Sequence, residues 1–264
     1  MIVFLLLLLA QQDQIPRPPT KDARGLLKID PLYFDLAANS GGDIYFWAPG
    51  EFATARLQVP IEREPVVLAY GAMESEKTFE IPVELGVKEL TVFLAIQRKD
   101  LAVLLRPDAT IERDVQTFQH MLIAIVKSPA KGLWRLELHG AGTYAFTAHV
   151  KPAEDGPELI TFRFIEPGGR PGHEGMFPVK RPVRGGESLA CELSLSGSAK
   201  DVKLAFVARD GSPLGAASIT PVSGDEYAGD CSVPKVPFRA VVRGVDAKGA
   251  SFQRIESHVH APEP

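Results

Sequence analysis

From about residue 61 to residue 259 the chain is punctuated at roughly ten-residue intervals by glycine and proline. Between the breaks lie short runs in which apolar and polar residues alternate. That rhythm constrains the fold more than any other feature. A helix needs apolar positions recurring every three to four residues, whereas a half-buried strand needs them at every second one. Leu133-Trp134-Arg135-Leu136-Glu137-Leu138 sets Trp134, Leu136 and Leu138 on one face and Leu133, Arg135 and Glu137 on the other. Phe79–Val83 and Glu89–Leu94 alternate in the same way, and further strands are read at Leu101–Leu105, Met121–Val126 and Thr143–Val150. The segment 151–157 (KPAEDGP) then breaks the pattern. A second series follows at Leu159–Ile165, Met176–Val183, Ser188–Leu195, Val202–Ala208, Gly215–Thr220, Glu226–Val233, Phe238–Arg243 and Ser251–Val259. Arg209-Asp210-Gly211 and Asp246–Gly249 are hairpin turn signals between them.

These spacings predict an all-β chain of two consecutive β-sandwich domains, 61–152 and 157–260. The second, with about eight strands in about a hundred residues, has the size and layout of an Ig-like or fibronectin-like sandwich. A length of 264 residues accommodates two such units. A short mixed N-terminal segment, 25–60, precedes them. In it Pro31–Ala38 suits a short helix ended by Gly41-Gly42, and Ile44–Trp47 a strand.

The first ten residues frame an apolar stretch, Ile2–Ala10, followed by Gln11, Gln12 and Asp13. Nine residues reach only about half-way across a hydrocarbon core as a helix. Residues 1–10 therefore read as a secretory signal peptide rather than a membrane span. Residues 11–24 (QQDQIPRPPTKDAR) read as a polar, Pro-rich linker. Export places the chain outside the cell, in the periplasm or at the cell surface. It also makes the two cysteines, Cys191 and Cys231, natural disulfide partners. The net charge of −4, without a basic run, excludes a nucleic-acid groove.

Several segments resemble the hemicentin family. They are Lys180-Arg181-Pro182-Val183-Arg184-Gly185, then Pro237-Phe238-Arg239-Ala240-Val241-Val242-Arg243-Gly244-Val245-Asp246, and Ser251-Phe252-Gln253-Arg254. In that family these blocks lie between the von Willebrand factor A domain and the Ig array. Lys77–Val83, Leu104–Asp108 and Gly132–Leu136 follow the same order, and Leu36–Tyr45 resembles the closing helix and strand of an A domain. The A domain's metal site, an Asp-x-Ser-x-Ser loop with a further Thr and Asp, is absent from the sequence. The resemblance thus implies a secreted, adhesion-like accessory module and carries over neither metal-dependent adhesion nor catalytic residues.

No constellation in the sequence argues for an enzyme. The serines lack a nucleophile-elbow context, no phosphate loop is present, and nothing pairs two carboxylates. His258 and His260, with Glu256, share one face of an extended strand, yet an exposed strand leading into a tail accounts for them without a metal. No metal and no cofactor is expected. The first choice for a binding loop is the turn-dense Gly168–Gly175, with Arg170, His173 and Glu174, because loops on a rigid sandwich often carry recognition. Tyr45 and Trp47 are candidate exposed aromatics. If Cys191 and Cys231 lie on neighbouring antiparallel strands, equivalent to B and E of an Ig-like sandwich, their bond would tie those strands within one sheet. The function expected is an exported, non-catalytic binding, adhesion or spacer module engaging an extracellular protein or glycan. The alternatives are the non-catalytic remainder of a larger A-domain protein and, behind it, a metal- or carbohydrate-dependent hydrolase.

Overall fold

The computed structural model describes residues 17, 20–21, 27–28, 30–39, 63–96 and 101–264. The signal-peptide stretch 1–10 and the aromatic pair Tyr45 and Trp47 lie outside them. β1 (Thr20–Lys21), within the stretch 11–24 expected to be a linker, pairs antiparallel with β2 (Leu27–Lys28), which follows it. α1 (Pro31–Asn39) follows where a short helix is predicted. Its start is chemically marked: Asp30 accepts the Leu32 N–H at 3.0 Å, and Pro31 takes the first helical position, where no N–H is needed.

Eight strands follow: β3 (Glu64–Met73), β4 (Lys77–Val83), β5 (Glu89–Ile96), β6 (Ala102–Leu105), β7 (Val115–Thr117), β8 (Met121–Lys127), β9 (Gly132–Leu138) and β10 (Gly142–Lys151). They form two antiparallel sheets, ordered β3-β10-β5-β8-β7 and β4-β9-β6. The alternation read from the sequence decides what lies between them. Leu90, Val92, Leu94 and Phe146 from one sheet meet Phe79, Ile81, Leu104, Trp134 and Leu136 from the other. Trp134 is a core residue, and its indole N–H is satisfied by the Ala130 carbonyl at 2.8 Å. Every residue of β5 is buried, because the outer face of its sheet is covered as well. There Phe34 of α1 stacks on Tyr70 at 4.6 Å and packs in a cluster with Phe93, Met121 and Ile123.

The remaining strands are β11 (Glu158–Gly168), β12 (Gly175–Pro178), β13 (Ser188–Ser196), β14 (Ala199–Ala208), β15 (Pro213–Ser223), β16 (Glu226–Ser232), β17 (Phe238–Asp246) and β18 (Ser251–Ile255). Their order is β12-β11-β13-β16-β15-β14-β17-β18, all antiparallel. β15 makes the run of strands a sandwich-like unit. Residues 213–217 pair with β14 and residues 218–223 with β16, so this strand passes from one layer to the other. Phe162, Leu193 and Tyr227 of one layer pack against Leu204, Phe206, Val242 and Phe252 of the other. The strand expected over Met176–Val183 is shorter than predicted, stopping at Pro178, although the Val179 N–H still reaches the Phe164 carbonyl at 3.0 Å. The C-terminal tail is tied down: Glu263 donates its N–H to the Val183 carbonyl and accepts from Gly185, both at 2.8 Å.

The expected Cys191–Cys231 disulfide is not formed. Both residues are free, buried thiols. β13 and β16 are antiparallel neighbours as predicted, but the register sets Cys191 opposite Gly229 and Cys231 opposite Leu189. The pair is therefore diagonal. Diagonal side chains in a sheet stand about 7–8 Å apart at the backbone, whereas a disulfide draws its Cβ atoms to about 3.5–4.5 Å. The thiols remain neighbours on the inward face. Interaction with Cys231, together with burial, pushes the Cys191 thiol far above its ordinary range, and the Cys231 S–H donates to the Leu189 carbonyl at 3.6 Å.

The two units are docked through side chains and main chain together. The Arg209-Asp210-Gly211 turn between β14 and β15 inserts against the first unit. Tyr70 N–H donates to the Arg209 carbonyl at 2.8 Å, Lys77 pairs with Asp210 at 3.1 Å, and the Tyr144 hydroxyl donates to the Asp210 carbonyl at 3.3 Å. Gly211 has φ of +81°, a left-handed conformation that favours glycine, and packs against Ala69 and Phe79. Leu68 packs among Val207, Val241 and Ile255. Gln253 donates to the Val66 carbonyl at 2.7 Å, and the buried Arg254 pairs with the buried Glu84.

Candidate functional site

The loop chosen from the sequence, between β11 and β12, is exposed throughout. Arg170, His173 and Glu174 share this one turn, and its hydrogen bonds close on itself. His173 N–H donates to the Arg170 carbonyl at 2.8 Å, and Gly172 N–H reaches both Glu174 oxygens at 3.0 Å. The backbone N–H groups of Glu174 itself and of Gly172 hold the Glu174 carboxyl below its usual range. At Gly169, φ +110°, a Cβ would fall 2.2 Å from the His173 carbonyl oxygen, so the turn requires glycine there. Glu174 thus shapes the loop. Beside it, Met176 and Phe177 of β12 are 49% and 43% exposed, and they make the adjoining surface apolar.

His260 lies against the rings of Phe162, Phe164 and Phe238 and meets Glu256 at 2.8 Å. His258 is on the same side, its ring centroid 4.9 Å from that of His260. Among the described residues no group of three or more His, Cys, Asp or Glu side chains is arranged to hold a metal ion. No helix among them is long and apolar enough to cross a membrane.

A second site, not evident from the sequence, opens where the two units meet. A groove of about 640 Å³ lies between β3 and β4 on one side and β14, β17 and β18 on the other. That volume falls in the range of ligand-binding clefts. Leu68, Val207, Val241 and Ile255 make its floor apolar, while Thr78, Glu80, Arg243 and Ser251 give it a polar rim carrying both charge signs. Gln253 orients Arg243 by accepting its Nε–H at 2.6 Å. β3, β4 and β18 are each the terminal strand of a sheet, and none is paired with another. Three strand edges therefore converge here. Glu64 lies at the foot of β3, where burial pushes its carboxyl above the ordinary value, opposed by nearby Arg254.

The only sequence signal for this site is the composition of β17 and β18. Arg239, Val241 and Arg243 alternate with Ala240 and Val242, so the second face of β17 carries apolar and charged residues together. An apolar residue such as Val241 on that second face implies that something covers it, but not what.

No protein-family model matches the chain, and no curated protein matches it. Among solved structures it is similar to a Bacillus licheniformis lipase in propeptide form (16% identity, 75% of this chain and 45% of that one, TM-score 0.30). It is also similar to Bifidobacterium dentium beta-glucuronidase complexed with coumarin-3-O-glucuronide (10%, 79% and 45%, TM-score 0.27). A third is the GH2 beta-galacturonidase from Eisenbergiella tayi bound to galacturonate (10%, 69% and 35%, TM-score 0.22). The chain spans less than half the length of each of these proteins. At such TM-scores the likeness carries no argument about activity, and the chain is assigned to no family by it.

Proposed function

We propose that the protein is an exported, non-catalytic binding module of two sandwich domains, the second Ig-like or fibronectin-like, and that the groove between them holds an extended segment of a protein partner. The observation that carries this is the convergence of three terminal strands, β3, β4 and β18, on one amphipathic cleft. An unpaired strand edge offers N–H and C=O groups to an incoming strand, and alternate side chains of that strand then read the surroundings. Here they would meet apolar floor residues and the Glu80 and Arg243 charges. The hemicentin-like resemblance supports the same kind of role, whether the chain acts alone or as the non-catalytic part of a larger secreted protein. The exposed turn holding Arg170, His173 and Glu174 then serves as a secondary contact.

The test is selection of peptides from a random phage-displayed library on the full chain, repeated with Leu133→Trp and Ser251→Trp, which fill the groove from its exposed rim. Peptides that bind the parent and lose at least tenfold in affinity for both variants support the reading. Peptides that bind all three equally overturn it, as does an oligosaccharide array giving ligands where peptides give none.

A further inference from the structure

At the other end of the junction, Asp35 of α1 enters a cluster with Arg209, Arg239 and Tyr70. Arg239 is 1% exposed, Asp35 4% and Tyr70 6%. Asp35 is hydrogen-bonded to Arg209, and its Oδ1 stands 4.0 Å from the Arg239 Nη2, too far for a hydrogen bond. The Arg239 guanidinium lies over the Tyr70 ring, 5.4 Å from its centroid, and the Phe34 ring stacks on the same tyrosine. Among the described residues, Nη1 and Nη2 of Arg239, Nε of Arg209 and the Tyr70 hydroxyl have no hydrogen-bond partner; neither has Oδ1 of Asp35. Arg239 spends only its Nε–H, on the Ser257 carbonyl at 3.4 Å.

The imbalance has a direction. Four of the five unpartnered atoms are donors, and one is a carboxylate oxygen. Buried polar groups are almost always paired, and a buried guanidinium with both terminal nitrogens open is an arrangement that folded proteins avoid. One water bridging the 4.0 Å gap would donate to Asp35 and accept from at most two N–H or O–H groups, which leaves the other open donors unserved. A group that only accepts fits the count. The other carboxylate acting on Arg239, Glu256, is engaged by His260 at 2.8 Å.

We infer that Arg239, Arg209 and Tyr70 form a site, buried around Arg239 and Tyr70 and reaching solvent along the part-exposed Arg209, for one small monovalent anion, a halide or the carboxylate of a small acid, seated between α1 and the two β units. Burial lowers the Arg239 pKa to about 10, the direction that a missing counter-charge produces. The site lies apart from the groove and does not depend on what the groove binds.

Crystals of the full chain grown without halide and soaked in sodium bromide test the inference by anomalous scattering at the bromine edge. A bromide peak within hydrogen-bonding reach of the Arg239 Nη atoms supports it, and formate or acetate density that excludes bromide identifies the occupant as a carboxylate. Ordered water alone overturns it. In solution, at constant ionic strength, replacing gluconate by chloride should raise the melting temperature saturably. The shift should shrink in Tyr70→Phe, which keeps the ring stack and removes one donor, and vanish in Arg239→Gln. An equal shift in all three proteins would overturn the assignment.

Discussion

Arg254 and Glu84 meet at the junction with almost no solvent around them, at 0% and 1% exposure. Arg254 also donates to the Gln253 carbonyl at 2.8 Å, and its guanidinium lies 5.7 Å from the centroid of the Phe252 ring. Such a pair contributes less to stability than its Coulomb attraction suggests, because both charges have been taken out of water. Breaking it is a different matter. Glu84→Ala leaves a buried cation without its partner and should cost about 3–5 kcal/mol in denaturant unfolding. The double variant Glu84→Leu/Arg254→Met should fall close to the parent, since neither charge is then stranded. Equal losses in the single and double variants would show that side-chain shape, rather than charge, holds this corner.

Among the elements, α1 has a role out of proportion to its nine residues. It covers the outer face of the β3-β10-β5-β8-β7 sheet, chiefly through Phe34, and gives β5 its second buried face. Phe34→Ala should therefore destabilise the protein by about 3 kcal/mol. Measured by chemical denaturation, a loss below about 0.5 kcal/mol would mean that α1 does not carry this cover. The strands of the first unit were legible in the sequence wherever one face is wet, as in β9, because burial writes a period of two into the residues. The eight-residue run of β5 was legible as a strand, but its second cover was not, since a run buried on both faces names no partner. β15 was underestimated. Its residues are mostly exposed, with Leu214 and Val222 apolar yet open to solvent, and it stays extended because neighbours in two different layers pair with its two halves. The cysteine pairing failed for a related reason. Adjacency of β13 and β16 followed from the strand order, but a register offset of two residues leaves the alternation unchanged and so leaves no mark in the sequence.

At the scale of the whole molecule, the groove was invisible in the sequence because it belongs to neither unit alone. It arises from how the Arg209–Gly211 turn, the Leu68 contact and the Gln253 hydrogen bond set one unit on the other. Those contacts join main chain and side chains and are mostly buried, so the two units should melt as one. Scanning calorimetry should show a single transition for the parent chain. Val241→Asp places an unpaired charge among Leu68, Val207 and Ile255 and should split that transition in two. A parent that already melts in two steps would mean that the units are energetically independent.

The meeting of β3, β4 and β18 also bears on how the chain behaves in company. Each is an end strand whose outer edge no strand pairs with, although in β3 the Tyr70 N–H and the Val66 carbonyl are taken by the second unit, and open strand edges recruit further strands and seed aggregates. Facing one another across the junction, they shelter inside a single molecule, where Pro82 in β4 further blunts one of them. Severed near residue 155, either half would present its bare edge, and with it the apolar patch around Leu68 or Val241, to every other copy in solution. The seam that joins the halves is thus also what keeps neighbouring molecules apart.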